Sequence, residues 1–196
     1  MVDFKETLKT YSRVADEFDR TRHYQWKTVK KYVDNLKHNT YNLDLGCGNG
    51  RNTQRTDCIF VSTDIVDEMC KICKNKQKEV IRHCATRLPF KNEIFDNILC
   101  IAVLHHIKLS EQKMVLSEMK RVLKSGGTAI LQVWATGKNR HLGYNYIEWK
   151  GIKQSGNRLY YIFNQDELER LVQSVGLEIV CSYCEHENWG VIVKKH

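Results

Sequence analysis

The stretch NLDLGCGNGRN, residues 42–52, limits the possible folds more than any other part of the chain. An apolar run containing one acid, Asp44, passes directly into Gly46, Gly48 and Gly50. The run reads as a buried strand, and glycine at every second position after it allows a tight turn and a close approach of backbone to a partner. A second run, CIFVSTD, ends on Asp64. In a doubly wound α/β sheet the carboxyl ends of neighbouring strands open on one crevice. Asp64 can there accept hydrogen bonds from two ribose hydroxyls, with Ile65 beside it to pack on an adenine face. The spacing G-x-G-x-G differs from the dinucleotide fingerprint G-x-G-x-x-G, whose third glycine would fall on Arg51. A nicotinamide or flavin dinucleotide is therefore disfavoured.

The rest of the chain has the rhythm of an alternating α/β domain. Phe4, Leu8, Tyr11, Val14 and Phe18, then Trp26, Val29, Val33 and Leu36, recur at helical spacing and predict two amphipathic helices within residues 1–39. TYNLDLG, CIFVSTD, EVIRHC, FDNILCIAV and TAILQVW read as five successive strands. Ser110 is expected to cap a helix through Val115, Met119 and Val122 that Gly126-Gly127 ends. Asn164 with Glu167 resembles a capping box before a last helix, and LEIVCSY and NWGVIVKK predict a terminal antiparallel pair. The expected fold class is Rossmann-like α/β: a doubly wound, mostly parallel sheet with an antiparallel C-terminal strand and N-terminal helices, in one domain spanning 1–196. Residues 135–163 break the rhythm; long, basic and aromatic, they are expected to form a substrate-side lid or insertion.

Thirty-one Lys and Arg against 23 Asp and Glu give a net charge of +8, which favours a polyanionic partner such as nucleic acid. No run approaches the ~18 apolar residues of a membrane span, and MVDFKETLKT is too charged for a signal peptide, so the chain is expected in the cytoplasm or the nucleus. In such a compartment its eight cysteines read as buried thiols rather than a disulfide framework. Cys70-Cys73 and Cys181-Cys184 are CxxC pairs, but one falls in a helix-like and the other in a strand-like stretch, so no metal site is expected in this chain. Lys71, Lys74, Lys76 and Lys78 read as a solvated face.

Asp44, the three glycines and Asp64 together resemble the S-adenosylmethionine site of class I methyltransferases. The resemblance implies that the glycine loop and Asp44 meet the methionine part of that cofactor and that Asp64 binds its ribose. It also implies cofactor contacts at Ile65, at Cys84 and Ala85 after the third strand, and at Ile101. Cys84 stands where the family often has an acid that hydrogen-bonds the adenine amino group. A thiol is a poor acceptor, so backbone near Ala85 and apolar contact with Ile65 and Leu88 are expected to take over.

Nearly the whole chain resembles the eukaryotic tRNA wobble-uridine carboxymethyl methyltransferases, through YSRVADEFDRTRHYQW, LDLGCGNGRN, IAVLHHI, LQVWA, RLYYIFNQDELERL and ENWGVIVKK. Leu159 and Tyr161 depart from the Tyr and His usual at those places. The resemblance implies methyl esterification of 5-carboxymethyluridine at the wobble position, giving 5-methoxycarbonylmethyluridine. A carboxylate is already ionised at pH 7, so the site needs orienting donors rather than a base. Arg22 offers a planar fork for the carboxylate or a phosphate, His105 and His106 follow the strand that faces the crevice, and Trp134 ends the next strand where it can stack on uracil. Lys138, Arg140, His141, Lys150, Lys153 and Arg158, interleaved with Tyr144, Tyr146 and Trp149, suit the phosphates and unpaired bases of a tRNA anticodon loop.

The resemblance further implies a small zinc-binding activator protein as heterodimer partner; residues 79–84, an edge strand in the expected order, could accept it by β-augmentation. The alternatives are methylation of another translation component, rRNA or protein, and a non-catalytic cofactor-binding scaffold. The intact Asp44, glycines and Asp64 weigh against the scaffold, and the absence of an Asn-Pro-Pro-Tyr-type motif weighs against an amide or amine acceptor.

Overall fold

A computed structural model describes residues 4–137, 140–151 and 155–196. In chain order the elements are α1 (Phe4–Thr21), α2 (Lys27–Asp34), β1 (Tyr41–Leu45), β2 (Ile59–Asp64), α3 (Asp67–Asn75), β3 (Val80–Arg82) and β4 (Phe95–Ile101). After a short 3-10 turn at Leu104–His106 come α4 (Leu109–Val122), β5 (Leu123–Trp134), β6 (Gly143–Lys150), β7 (Ser155–Ile162), α5 (Gln165–Gln173), β8 (Glu178–Cys184) and β9 (Asn188–Lys194). Seven strands form one sheet in the order β3-β2-β1-β4-β5-β9-β8. β1 to β5 run parallel, while β9 is antiparallel to both β5 and β8. The order reverses between β1 and β4, the place where such sheets open a crevice.

The central strands are apolar on both faces because both are covered. Ile98 and Cys100 of β4, with Ala129, Leu131 and Val133 of β5, pack on Val115, Leu116 and Met119 of α4 and Leu168 and Val172 of α5. The alternate residues Leu99, Ile101 and Ile130 turn to Val29 and Val33 of α2. The free N–H groups of Lys27 and Thr28 at the start of α2 donate to the Glu185 carboxylate at 2.7 and 2.9 Å, fixing that helix to the β8–β9 turn.

Several local expectations change. Ser110 lies inside the first turn of α4; the Leu109 N–H is instead met by the Tyr144 hydroxyl at 3.1 Å, a partner from 35 residues away. Gly126-Gly127 do not stop that helix, which ends at Val122. They form a bulged start to β5 between the pairs Phe95–Leu123 and Asn97–Thr128. Asn164 does cap α5, accepting from the Glu167 N–H at 2.8 Å, but Glu167 turns to the Tyr161 hydroxyl, so the reciprocal half of the box is absent. Lys78 is no solvated lysine: its Nζ donates to the Thr53 carbonyl at 2.6 Å. Cys181 and Cys184, on the edge strand β8, are exposed rather than buried.

Residues 135–163 fold largely as a β6–β7 hairpin, with Lys138 and Lys153 outside the described residues. An isolated two-stranded sheet is marginal in water. α1 stabilises this one by covering the outer edge of β7: Thr7 Oγ1 accepts from the Leu159 N–H at 2.8 Å, and Thr10 Oγ1 donates to the Asn157 carbonyl at 2.9 Å.

Candidate active site

The parallel strands deliver their carboxyl ends to one cavity of about 440 Å³, within the ~300–1,000 Å³ usual for small-molecule sites. β1 leads into Gly46 and Gly48, β2 ends on Asp64 with Ile65 beyond, and β3 runs on to Cys84, Ala85 and Thr86. β4 supplies Ile101, and β5 supplies Trp134. Phe18 and Tyr11 of α1, and Trp149, Arg158 and Tyr160 of the hairpin, close the opposite side. Ala102, at the turn out of β4, takes the left-handed φ of +62°, rare for a residue with a Cβ, and so redirects the chain to bring His105 and His106 into the wall.

Seven of the nine residues expected at the cofactor line the cavity: Gly46, Gly48, Asp64, Ile65, Cys84, Ala85 and Ile101. Gly50 and Asp44 lie behind it. Gly50 has φ +73°, and a Cβ there would meet Lys78 Cδ at 2.6 Å, so the turn and its packing require glycine. Leu88 belongs to the core, and the hydroxyl of Thr86, 3.1 Å from Cys84 Sγ, is the polar group that stands beside the thiol.

Asp44 is 1% exposed, and neither of its carboxylate oxygens has a hydrogen-bond partner among the described residues. Burial, then the neighbouring Asp64, push it up to about 7 against the opposing charges of Arg51 and Lys78. A buried carboxylate without a partner behind a glycine loop suits an ammonium group brought to that loop. Asp64 accepts from the Gly48 and Val66 N–H groups, both at 2.9 Å, and each oxygen keeps a lone pair for a ribose hydroxyl. These residues fit the methionine and ribose parts of S-adenosylmethionine.

The two histidines differ in what they leave free. His106 Nδ1 faces the Leu159 carbonyl at 3.1 Å, so it carries the proton, and Nε2 accepts from the Tyr11 hydroxyl at 2.9 Å. Tyr11 in turn can accept from the Tyr160 hydroxyl at 3.2 Å, and Tyr160 accepts from Arg158 at 2.6 Å, which completes a directional chain from hairpin to helix. His106 is thereby committed to structure, and burial pushes it down to about 3. His105 Nδ1 accepts from the Trp134 N–H at 3.0 Å, which puts the proton on Nε2. That Nε2–H is buried with no partner among the described residues, and burial keeps the ring neutral. Trp134 stacks on Tyr160 with centroids 4.3 Å apart and is approached by Arg140 at 4.8 Å.

Three guanidiniums reach the cavity. Arg22 lies 4.2 Å and Arg158 5.0 Å from the ring of Trp149, and Arg51 lies 4.3 Å from that of Trp26. Among the described residues none of the three forms a salt bridge, whereas Arg140 pairs with Glu187. The cavity thus holds cationic donors awaiting anionic groups. Arg22, His105, His106 and Trp134 are expected here from the sequence; Arg158 and Trp149, expected in a substrate-side lid that meets a tRNA anticodon loop, line the cavity itself, as do Arg51, Tyr11 and Tyr160, to which the sequence assigns no site role. Part of the signal was present, since Arg158, Tyr160 and Ile162 alternate along one strand and so share a face.

Comparison with known proteins agrees with this geometry. Residues 43–131 match the family described as methyltransferase domain. The Arabidopsis thaliana tRNA (carboxymethyluridine(34)-5-O)-methyltransferase is 35% identical over 136 residues, covering 68% of this chain and 34% of that protein. The protein of the same name from Schizosaccharomyces pombe is 28% identical over 218 residues, covering 96% of this chain and 95% of the relative. The chain therefore spans about a third of the first relative and nearly all of the second. A chain of the complex between the Haloferax volcanii Trm112 methyltransferase activator and the putative methyltransferase has the same fold, with a TM-score of 0.75 at 14% identity over 99% of this chain and 98% of that one. With its glycine loop, its two strand-end acids and its strand order, the chain belongs to the S-adenosylmethionine-dependent class I methyltransferases.

Proposed function

We propose that this methyltransferase esterifies the carboxymethyl group of the wobble uridine, position 34, of tRNA. The observation that carries the reading is that Arg22 and Arg158 both lie against the Trp149 ring, 4.2 and 5.0 Å from it, unpaired with any carboxylate among the described residues and lining the cavity that the glycine loop also lines. A guanidinium holds a carboxylate through two parallel N–H bonds, and an aromatic ring beside it can stack on the attached base. The activity in the names of the two relatives supports this reading, as does the charge of +8.

The chemistry asks little beyond alignment. S-adenosylmethionine supplies an electrophilic methyl on a sulfonium, and the acceptor carboxylate is ionised at neutral pH without a base. Asp64 and the glycine loop hold the cofactor side, while Arg158 and Arg22 orient the acceptor carboxylate. The His105 Nε2–H is placed to donate to an oxygen of the substrate. Because His105 and His106 stay neutral, neither competes for the proton-free carboxylate. Holding the reacting atoms in line is worth several kcal/mol, about 7–11 at the limit.

We further propose that an activator of the kind in the Haloferax complex docks on β3, zinc-bearing in that partner rather than here. Among the described residues β3 pairs with β2 alone, and Ile81 on it is 41% exposed, an edge suited to strand addition. The test is to incubate the chain, alone and with such an activator, with labelled S-adenosylmethionine and tRNA carrying 5-carboxymethyluridine. The expected result is label on nucleoside 34 as 5-methoxycarbonylmethyluridine and none on tRNA with unmodified uridine there. Equal labelling of both tRNAs contradicts the proposal.

A further inference from the structure

The glycine loop carries a thiol that none of the steps above uses. Cys47 lines the cavity between Gly46 and Gly48, and its sulfur lies 3.7 Å from that of Cys73 on α3. Cys73 is fully buried, and its S–H donates to the Gly48 carbonyl at 3.2 Å, so it is the Cys47 S–H that points to Cys73. Cys70, the other half of that CxxC pair, is turned elsewhere: its Sγ donates to the Asp64 carbonyl at 3.7 Å. Among the described residues no other two cysteine sulfurs come within hydrogen-bond contact. Two free thiols therefore stand side by side where the loop meets α3, one of them open to the cofactor cavity and the other sealed behind it.

We infer that Cys47 and Cys73 form a disulfide when a hydroperoxide enters the empty cavity, and that this bond and the cofactor exclude each other. In the first step the Cys47 sulfur attacks the peroxide O–O bond, giving a sulfenic acid and releasing the other oxygen as an alcohol or water. The Cys73 sulfur then attacks the Cys47 sulfur, and the sulfenic oxygen leaves as water. The two sulfurs give up two electrons in total, and the broken O–O bond takes both. The hydrogen bond to Cys73, then burial, push the Cys47 thiol up, and the same bond holds Cys73 down, so the attack on peroxide is the slow step. Closing the sulfurs from 3.7 Å to the ~2.0 Å of a disulfide draws the loop against α3 and removes the S–H donor to the Gly48 carbonyl. The Gly48 N–H, bonded to the Asp64 carboxylate at 2.9 Å, moves with that residue, so the seat of the cofactor shifts. Conversely, a cofactor lying along the loop covers Cys47. This inference rests on the cofactor and not on the identity of the acceptor.

For the test, Cys181 and Cys184, exposed on β8, are first replaced by serine so that they do not join protein molecules to one another. This Cys181→Ser/Cys184→Ser protein is treated with hydrogen peroxide, alone and with S-adenosylhomocysteine at about 100 times its Kd, then alkylated, digested and mapped by mass spectrometry. Calorimetry measures S-adenosylhomocysteine affinity before treatment, after it, and after reduction by dithiothreitol. The expected product is a pair of peptides joined through Cys47 and Cys73. Its formation should slow about 100-fold with ligand, since only about 1% of the protein then has an empty cavity. The joined protein should bind about 10-fold more weakly, the size of one displaced charge-assisted hydrogen bond, and regain its affinity on reduction. In Cys73→Ser, whose hydroxyl can still donate to the Gly48 carbonyl, the oxidised Cys47 should remain a sulfenic acid that dimedone labels. No joined peptide, a bond between Cys70 and Cys73 instead, joining at the same rate with ligand bound, or unchanged affinity in the joined protein would each overturn the assignment. None of these readouts depends on methyl transfer, so the failure of the proposed acceptor would leave them intact.

Discussion

Asp44→Asn should make the ligand-free protein more stable above neutral pH and the cofactor-bound protein less so. In the folded chain burial raises Asp44 from 3.8 to about 7, a shift of roughly three units at ~1.36 kcal/mol each, or about 4 kcal/mol for full ionisation. Between about pH 4 and 7 the folded state binds more protons at this site than the unfolded state, so stability falls as pH rises through that window. From pH 5 to 8 the part of the penalty still to appear is about 2–3 kcal/mol. At about 2–4 °C per kcal/mol for a chain of this size, the melting temperature of Asp44→Asn relative to wild type should rise by about 5–10 °C over that range. Other titrating groups largely cancel in the difference. Saturating S-adenosylhomocysteine should reverse its sign above pH 7, because an ammonium near Asp44 favours the ionised form that asparagine cannot supply. Thermal melts at half-unit pH steps, with and without that ligand, measure both effects. A difference that stays flat from pH 5 to 8 would refute the reasoning that Asp44 is an unsatisfied buried acid.

Arg158→Gln should lower kcat for tRNA methylation at least 10-fold while S-adenosylhomocysteine affinity, measured by calorimetry, changes less than twofold, since that arginine faces the acceptor. Tyr11→Phe removes the donor to His106 Nε2 and should cost about 1 kcal/mol, a drop of roughly 2–4 °C in the melting temperature. His105, held neutral by burial, should give no inflection near pH 6.5 in single-turnover methyl transfer. Its folded pKa lies below the unfolded one, so lowering the pH through 6.5 should instead destabilise the fold, which NMR titration of the imidazole and acid melts can follow. Gly46→Ala should abolish measurable cofactor binding, because a Cβ there would stand 2.3 Å from Val103 Cγ2 on a backbone at φ +68°, and binding titration reads this directly.

The sheet was legible because its strands are short apolar runs with acids and glycines at their carboxyl ends, and those signals are local. Asp44, Asp64 and the strand order followed from them. What the sequence hid depends on partners distant along the chain. Ser110 looked like a cap because nothing nearby competed, yet the Leu109 N–H is met by Tyr144 of the hairpin. The segment 135–163 lacked a clean period because β7 is covered on its outer edge by two threonines of α1, so its backbone groups are satisfied by residues about 150 positions earlier rather than by a third strand. Arg158 reads as a phosphate contact of a substrate-side lid, and only the docking of β7 on α1 shows that it lines the cavity itself. At Gly50 the spacing of the motif does not show the packing against Lys78, which comes from 28 residues further along the chain. The two histidines were indistinguishable until Tyr11 and Trp134 fixed which ring nitrogen each one spends.

The most direct measurement on the central claim is the alkali stability of the transferred methyl. Label passed from S-adenosylmethionine to tRNA bearing 5-carboxymethyluridine is treated with mild base, and the released fraction is counted. Release of the label as methanol, with the carboxymethyl nucleoside regenerated at position 34, is the result expected of a methyl ester. Label that survives the base on nitrogen, carbon or ribose would contradict the account.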